Sequence, residues 1–274
     1  MSMTTPAVSH AQAADYAEFV LPLTSQFFGP FFKLAAVQPG ERVLDLACGP
    51  GETTIEAALR AGPAGEVVGV DVSAEFTALA QRRATEAGVR TVRFETLDAC
   101  DLSALAPSYW DVVLCHLGIA EFGDPRAALA GMLRVLRPVG RVAFSTWGEA
   151  SRSPWLAIPF DAAHAVVPTR PAAVNARPFR YGEAGVLSRL LSEAEYQDVT
   201  PDRVSAALEY DSAMEYWQAV ARGLAYAGSS LAELSEEQLT SVREAGAPVL
   251  RRWQHPRSGR LRLPAQAFVC VAVK

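Results

Sequence analysis

Asp45, Gly49, Gly51, Asp71, Asp98 and His116 are the residues whose types and spacing could do chemistry together. Asp45 lies inside the apolar run Val43-Leu44-Asp45-Leu46, where a carboxylate costs free energy unless it is paired. Gly49 and Gly51 flank Pro50 just past that run. Glycine there permits uncommon backbone angles and lets a ligand approach the main chain closely. Asp71 stands twenty residues beyond Gly51, the spacing at which an acidic side chain reaches a ribose in a strand–helix–strand nucleotide fold. Its plainer reading is a cap for the helix over 73–88. Asp98 ends a third apolar run and His116 a fourth. A histidine at the carboxyl edge of a central parallel strand lies where open α/β sheets bind ligands, and its pKa suits general-base work. The plainer reading is that it only packs on the ligand; Glu121 is a weaker candidate for the same role.

A Gly-rich loop between a strand and a helix has two common uses. One is the dinucleotide fingerprint, which seats a pyrophosphate on a helix N-terminus. Here Thr54 stands where the third glycine belongs, and Glu52 at the helix start would repel the phosphates. The other is binding S-adenosylmethionine, whose ammonium and sulfonium are helped by acidic neighbours such as Asp45. The charge balance favours the second use.

The elements that must position these residues follow from the apolar pattern. Residues 43–46, 66–71, 91–97, 110–115 and 141–146 read as strands, the first of them covered on both faces. Helices are expected over 52–61, opened by Thr53 or Thr54, over 74–88, and over 126–136 with Asp124 as cap. The N-terminal stretch 11–37 reads as helical, broken at Pro22 and at Gly29-Pro30, and is rich in aromatic residues. Most of those rings are expected to pack helices on the sheet, with Tyr16 or Phe19 the first candidates to close over a ligand. A Pro-rich segment over 151–180 holds a short helix at 155–166. Beyond it come a helix at 181–193, a long strand at 196–210, helices at 212–228 and 235–253, and a closing strand at 267–273.

Composition limits the function classes. Half of the residues are hydrophobic and a fifth charged, as in ordinary globular proteins, and 274 residues can bury a sizeable core. A net charge of −5 with no basic block argues against nucleic acid as a partner. Cys48, Cys100, Cys115 and Cys270 are scattered without a close pair, which reads as reduced thiols in the cytoplasm, with no metal site. No apolar stretch is long enough for a membrane span and no signal peptide is evident.

The run Asp45-Leu46-Ala47-Cys48-Gly49-Pro50-Gly51 resembles the first motif of the class I S-adenosylmethionine-dependent methyltransferases. VVGVDVS at 67–73, LDACDL at 97–102, WDVVLCHLGIAEFGDP at 110–125 and MLRVLRPVGRVAFSTWG at 132–148 are similar to the family's later motifs, in order. The nearest subgroup is the ubiquinone/menaquinone-biosynthesis type, which acts on small molecules. The resemblance implies a Rossmann-like, doubly wound α/β fold with a mostly parallel seven-stranded sheet, an antiparallel C-terminal strand and helical lid elements. It implies a helical lid over 1–38, a cofactor-binding core over 39–148, and a substrate-covering insertion with the remaining strands over 149–274. It also implies that Asp45, Ala47, Gly49, Gly51, Asp71, Val72, Asp98, Ala99, Cys115 and His116 contact S-adenosylmethionine. Asp71 would hold the ribose, with Asp98 and the Ala99 amide on the adenine. Val139 and the pair Glu195-Tyr196 depart from the family's usual Gly and Gly-Phe.

The expected activity is methyl transfer to a small, largely apolar acceptor, quinone- or polyketide-like, of the kind met in secondary metabolism. Tyr16, Phe19 and Trp147 are the expected acceptor contacts and His116 the candidate base. The alternative is a cyclase that keeps the cofactor as a structural support, since fold does not fix chemistry. The oligomeric state is left open, with a homodimer among the options.

Overall fold

The computed structural model describes residues 8–224, 231 and 234–274. Strands β1 (Arg42–Leu46), β2 (Glu66–Asp71), β3 (Val92–Thr96), β4 (Trp110–His116) and β5 (Leu136–Trp147) are parallel neighbours. β6 (Gln197–Tyr210) and β7 (Leu261–Val273) complete a seven-stranded sheet of order β3-β2-β1-β4-β5-β7-β6, in which β7 runs antiparallel to β5 and β6. This is the expected doubly wound, mostly parallel sheet. Strand order reverses between β1 and β4, so the crevice over their carboxyl ends is where such sheets bind ligands.

Parallel strands must be covered on both faces. On one face Leu44, Leu46, Val68, Val70 and Val113 pack with α6 (Pro125–Val135) and α8 (Val186–Glu193). On the other, Val43, Val67, Val112 and Leu114 meet α3 (Phe28–Ala35) and α4 (Glu52–Ala61). A third cluster forms the cap, from α7 (Pro154–Val166), α9 (Ala213–Gly223), α10 (Glu236–Leu250) and the ends of β6 and β7. Pairing of β5 with β7 stops at Trp147↔Ala267, whereas β6 and β7 stay paired to Tyr210↔Leu261. The two long strands therefore project past the sheet's carboxyl edge as an arm, and the cap is built on it.

α1 (His10–Phe19) joins core to cap. Ser9 and Gln12 cap it reciprocally. Tyr16 meets Phe76 of α5 (Ala74–Glu86) edge-on at 5.5 Å, while Arg222 of α9 bonds Asp15 at 2.5 Å and covers the Phe19 ring at 4.4 Å.

Several boundaries differ from the sequence expectation. Pro22 and Gly29-Pro30 do not break helices: they occupy the first turns of α2 (Leu21–Thr24) and α3, where a missing N–H costs nothing. Gly51, at φ 92°, caps α4 in place of Thr53 or Thr54. β5 starts at Leu136 and β7 at Leu261, earlier than the apolar runs. β5 carries an irregularity in its pairing with β4, with Val139 at φ 57°. The arm explains β7: its outer part pairs only with β6, so polar residues alternate there. The helix expected from Tyr181 begins at Val186, and Gly228 lies outside the described residues. No described helix is long and apolar enough to cross a membrane.

One side chain fixes α3 against the sheet. Ala36, at φ 50°, ends α3 in the left-handed conformation and leaves its last carbonyls to be met from outside. Arg141 of β5 meets them: Nε donates to the Ala35 carbonyl at 2.6 Å and Nη2 to the Ala36 carbonyl at 2.7 Å. The same guanidinium grips both carboxylate oxygens of Glu41 at 2.8 and 2.7 Å. Replacing Arg141 by Leu orphans a half-buried carboxylate and two carbonyls, so Arg141→Leu lowers the unfolding free energy by roughly 2–4 kcal/mol. Chemical denaturation checks this, and a loss below about 0.5 kcal/mol rejects the anchoring role.

Candidate active site

The loop after β1 is held by its own backbone and by one carboxylate. Cys48 N–H donates to the Val70 carbonyl and Gly51 N–H to the Cys48 carbonyl, both at 3.0 Å. Asp71 at the end of β2 accepts from Gly49 N–H through Oδ2 and from Ser73 N–H through Oδ1, each at 2.9 Å. Ser73, not Asp71, caps α5. The two glycines do different work. A Cβ on Gly51 would lie 2.7 Å from the Ala80 Cβ, so Gly51 lets α4 start against α5. A Cβ on Gly49 would meet nothing within 4 Å, and its φ is 52°. Space over Gly49 is what a ligand on this loop requires. Ala47 adopts φ 55°, unusual for a residue with a Cβ, and Gly118 makes room for it: a Cβ there would lie 2.5 Å from the Ala47 Cβ.

Asp45 is 1% exposed, and Thr54 Oγ1 donates to its Oδ2 at 2.6 Å. Its Oδ1 is buried without a partner. Burial pushes its pKa up to about 7; the Thr54 bond opposes this and Asp71 adds to it. Glu52 pairs with Arg83 of α5, yet burial still pushes it up to about 7. Tyr16 lies in the same neighbourhood: its hydroxyl is raised by burial and then by Glu121, Glu52 and Asp71. Val72, beside Asp71, is an apolar side chain left 54% exposed. Leu97 N–H donates to the Asp71 carbonyl at 3.0 Å, which sets the exposed Asp98 and the buried Ala99 on the adjoining edge. Asp98 Oδ1 accepts from Cys100 N–H at 2.8 Å.

The structure thus brings together Asp45, Ala47, Gly49, Gly51, Asp71, Val72, Asp98 and Ala99, with Tyr16 reaching in from α1. The other expected residues stand at the end of β4, on α1 or at the root of the cap. The Cys115 side chain is fully buried in the core beneath Gly118. Phe19 packs at the joint of α1 with α9, under Arg222. Trp147 is buried in the cap, edge-on to Phe27 at 5.5 Å and to Trp155 at 5.3 Å. His116 stands between Phe28 and Phe31 of α3, each ring 4.9 Å away, and its Nδ1 lies 2.7 Å from Ser145 Oγ. Thr54, Arg83 and Gly118 carry roles that the sequence reading missed. Thr54 had a signal, since a buried aspartate demands a donor and Thr54 is one turn into the following helix.

Residues 38–170 match the model of a methyltransferase domain family. The chain is 31% identical over 190 residues to the nocamycin O-methyltransferase of Saccharothrix syringae, covering 64% of this chain and 67% of that protein. The chain belongs to the S-adenosylmethionine-dependent methyltransferases. This methyltransferase is also 38% identical over 111 residues to the ubiquinone/menaquinone biosynthesis C-methyltransferase UbiE of Ectopseudomonas mendocina, a match spanning 43% of that protein. Its fold resembles the YcgJ protein of Bacillus subtilis at TM-score 0.61 and 18% identity, over 91% of this chain and 98% of that one. It also resembles the [4+2]-cyclase SpnF at TM-score 0.55 and 18% identity, over 98% of both chains. The methyltransferase's own residues fit a cationic nucleoside: an open approach over Gly49, an uncovered Val72, and an unpartnered oxygen on Asp45.

Burial lowers the His116 pKa to about 4, with the nearby Thr24 backbone opposing the shift. An unfolded histidine near 6.5 takes up its proton first as pH falls, so this ring stabilises the fold above that value and loses its contribution as pH drops toward 4. The stability gap between wild type and His116→Gln therefore narrows by on the order of 3 kcal/mol from pH 7 to pH 4. Denaturant midpoints at several pH values measure it; a gap that stays constant shows that the ring is not held neutral.

Proposed function

We propose that this methyltransferase moves the methyl group of S-adenosylmethionine to an oxygen of a small, largely apolar acceptor seated between α3, the ends of β4 and β5, and the cap. The observation that carries this reading is the continuous aromatic cluster in the cap, called its aromatic wall below. Phe27, Trp147, Trp155, Tyr216, Trp217 and Tyr210 follow one another in edge contacts or through one hydrogen bond, all buried. Such a wall suits a flat apolar molecule. Support for oxygen as the acceptor atom comes from the relative spanning 64% of this chain, which is an O-methyltransferase. In this reading residues 1–38 close the site, 39–148 bind the cofactor, and 149–274 cover the acceptor; the protein works in the cytoplasm.

When bound, the cofactor supplies an electrophilic methyl on sulfur and departs as a neutral thioether. The chain's part is to bind, align and exclude water. Asp71, with both oxygens braced by backbone N–H groups, holds a lone pair of each oxygen toward a ribose diol. Asp98 and the Ala99 amide frame the base, and Val72 covers one side of it. Asp45, Glu52 and Asp71 supply negative potential for the cofactor's positive charges. Tyr16 closes that compartment from α1. His116, held neutral, removes a proton only from an acidic hydroxyl, as on a phenol or enol, because a base of pKa near 4 is too weak for an alcohol.

Calorimetric titration tests the site. Asp71→Ala loses the ribose contact and the brace on Gly49 together, so its affinity for S-adenosylhomocysteine falls about 100-fold or more. An affinity within threefold of wild type removes Asp71 from the site. A product heavier by one methylene, made from a hydroxylated aromatic, separates methyl transfer from a cyclase on the same scaffold. The carboxyls of Asp45 and Glu52 make a second prediction. Both are raised to about 7, so they ionise as pH rises through neutrality and then favour the sulfonium. The affinity ratio of S-adenosylmethionine to S-adenosylhomocysteine therefore rises about 3- to 10-fold between pH 6 and pH 8. A ratio independent of pH rejects these two carboxylates as the counter-charge.

A further inference from the structure

Among the described residues, buried side-chain polar atoms without a partner fall on both sides of the crevice. Asp45 Oδ1 and Arg83 Nε belong to the cofactor half, and His116 Nε2 to the end of β4 beside Phe28 and Phe31. Thr146 Oγ1, Gln266 Oε1, Trp155 Nε1 and the Tyr210 hydroxyl belong to the cap or its root. A buried donor that makes no bond loses its hydration with no return, and native folds keep few of them. Side chains alternate along the arm, so opposite residues share a face. Tyr210 pairs with Leu261 and Trp147 with Ala267, which puts Tyr210 and Trp147 on one face. Thr146, opposite Phe268, and Gln266 stand on the other face. Only Trp155 and Tyr210 thus share the aromatic wall.

These two side chains are 2% and 5% exposed and flank a single residue. Tyr216 donates its own hydroxyl to the Trp155 carbonyl at 2.9 Å, and its ring lies 5.3 Å from that of Tyr210. Tyr216 is therefore satisfied, while the indole N–H and the Tyr210 O–H on either side of it are not. Both are neutral donors at working pH: burial, and then the nearby Glu215, keep the Tyr210 hydroxyl protonated. Ser153 fixes the start of α7 by accepting from Gln266 N–H at 3.0 Å, so Trp155 has a set position relative to the arm.

We propose that Trp155 Nε1–H and the Tyr210 hydroxyl are acceptor-recognition donors, which bond an oxygen of the acceptor other than the one methylated. This rests on the reading above of an apolar acceptor bound against the cap. It narrows the substrate class to flat, mostly apolar molecules that carry a second hydrogen-bond-accepting oxygen, such as a quinone or polyketide carbonyl. Selectivity follows from the same physics, since an analogue without that oxygen leaves both donors buried and unpaired, which such sites reject strongly. Trp155 and Tyr210 act as positioning residues, because they hold the acceptor and not the reacting atoms.

The test uses the full chain saturated with S-adenosylhomocysteine and two probes of equal ring size, a hydroxynaphthoquinone and naphthalene. Wild type is expected to prefer the quinone. Tyr210→Phe and Trp155→Phe each weaken quinone binding about 3- to 10-fold more than naphthalene binding, with S-adenosylhomocysteine affinity unchanged. Tyr210→Phe also leaves the ligand-free melting temperature unchanged or higher, because it removes a desolvated hydroxyl. Four results overturn the proposal: no quinone preference in wild type, quinone affinity unaltered in both variants, equal losses for both probes, or a ligand-free Tyr210→Phe protein that melts several degrees lower. Unaltered affinity in Trp155→Phe alone would place its N–H on the Trp147 ring face, and would strike Trp155 from the pair. If wild type fails to bind S-adenosylhomocysteine, the cofactor reading itself falls; if it binds and the variants behave as wild type, only this proposal does.

Discussion

The carboxylate of Asp71 is the interaction on which the site depends. β1 and β2 are bonded side by side only through Leu46 and Val70, after which each chain must turn away into its own helix. Asp71 ties the two departures together by accepting from Gly49 and Ser73. Without that tie, the Gly49 N–H would face a buried crevice unpaired, and the left-handed conformations at Ala47, Gly49 and Gly51 would have little to hold them. The residue suited to a ribose is thus also the one that shapes the loop beneath it. In the proposed reading, binding and architecture share this side chain, so a change at Asp71 alters both.

The arm solves a second problem. A doubly wound sheet ends abruptly at its carboxyl edge, and a small ligand there would be open to water. Extending β6 and β7 past Trp147 supplies two paired strands, with no orphaned backbone between them, on which α7, α9 and α10 can pack. α1 then spans from α5 of the core to α9 of the cap, through Tyr16 and Phe76 at one end and Arg222 with Asp15 at the other. The closure is made of a ring contact and a surface ion pair. Both are modest in energy.

β1, β2, β4 and β5 were legible because a buried parallel strand is a mostly apolar run, whereas β3, at the edge of the sheet, alternates apolar with exposed polar residues. The acidic residues at 45, 71 and 98 could be placed on one edge because each lies at or near the end of its strand. What composition does not encode is the direction of a side chain after the strand has ended. His116 and Trp147 both sit at carboxyl ends, but α3 encloses the first between Phe28 and Phe31, and Phe27 and Trp155 enclose the second. Those partners are distant in sequence. Helix starts at Pro22 and Pro30 were misread as breaks because proline at a first turn and proline at a stop look alike without the cap geometry. Gly118 was invisible for a related reason: its need arises from Ala47, which lies on a different strand end.

The two halves of the crevice are built on opposite electrostatic plans. On the β1–β2 side, carboxylates are buried at a cost that raises Asp45 and Glu52 to about 7, and a cation entering there recovers part of that cost. On the cap side there is no such charge among the wall residues, only rings and neutral donors. A charged acceptor would meet a wall that cannot solvate it, and a neutral one would leave the acidic side unaffected. Methyl transfer would remove the sulfonium charge, so an acidic half of this kind would favour the reactant form of the cofactor over its product.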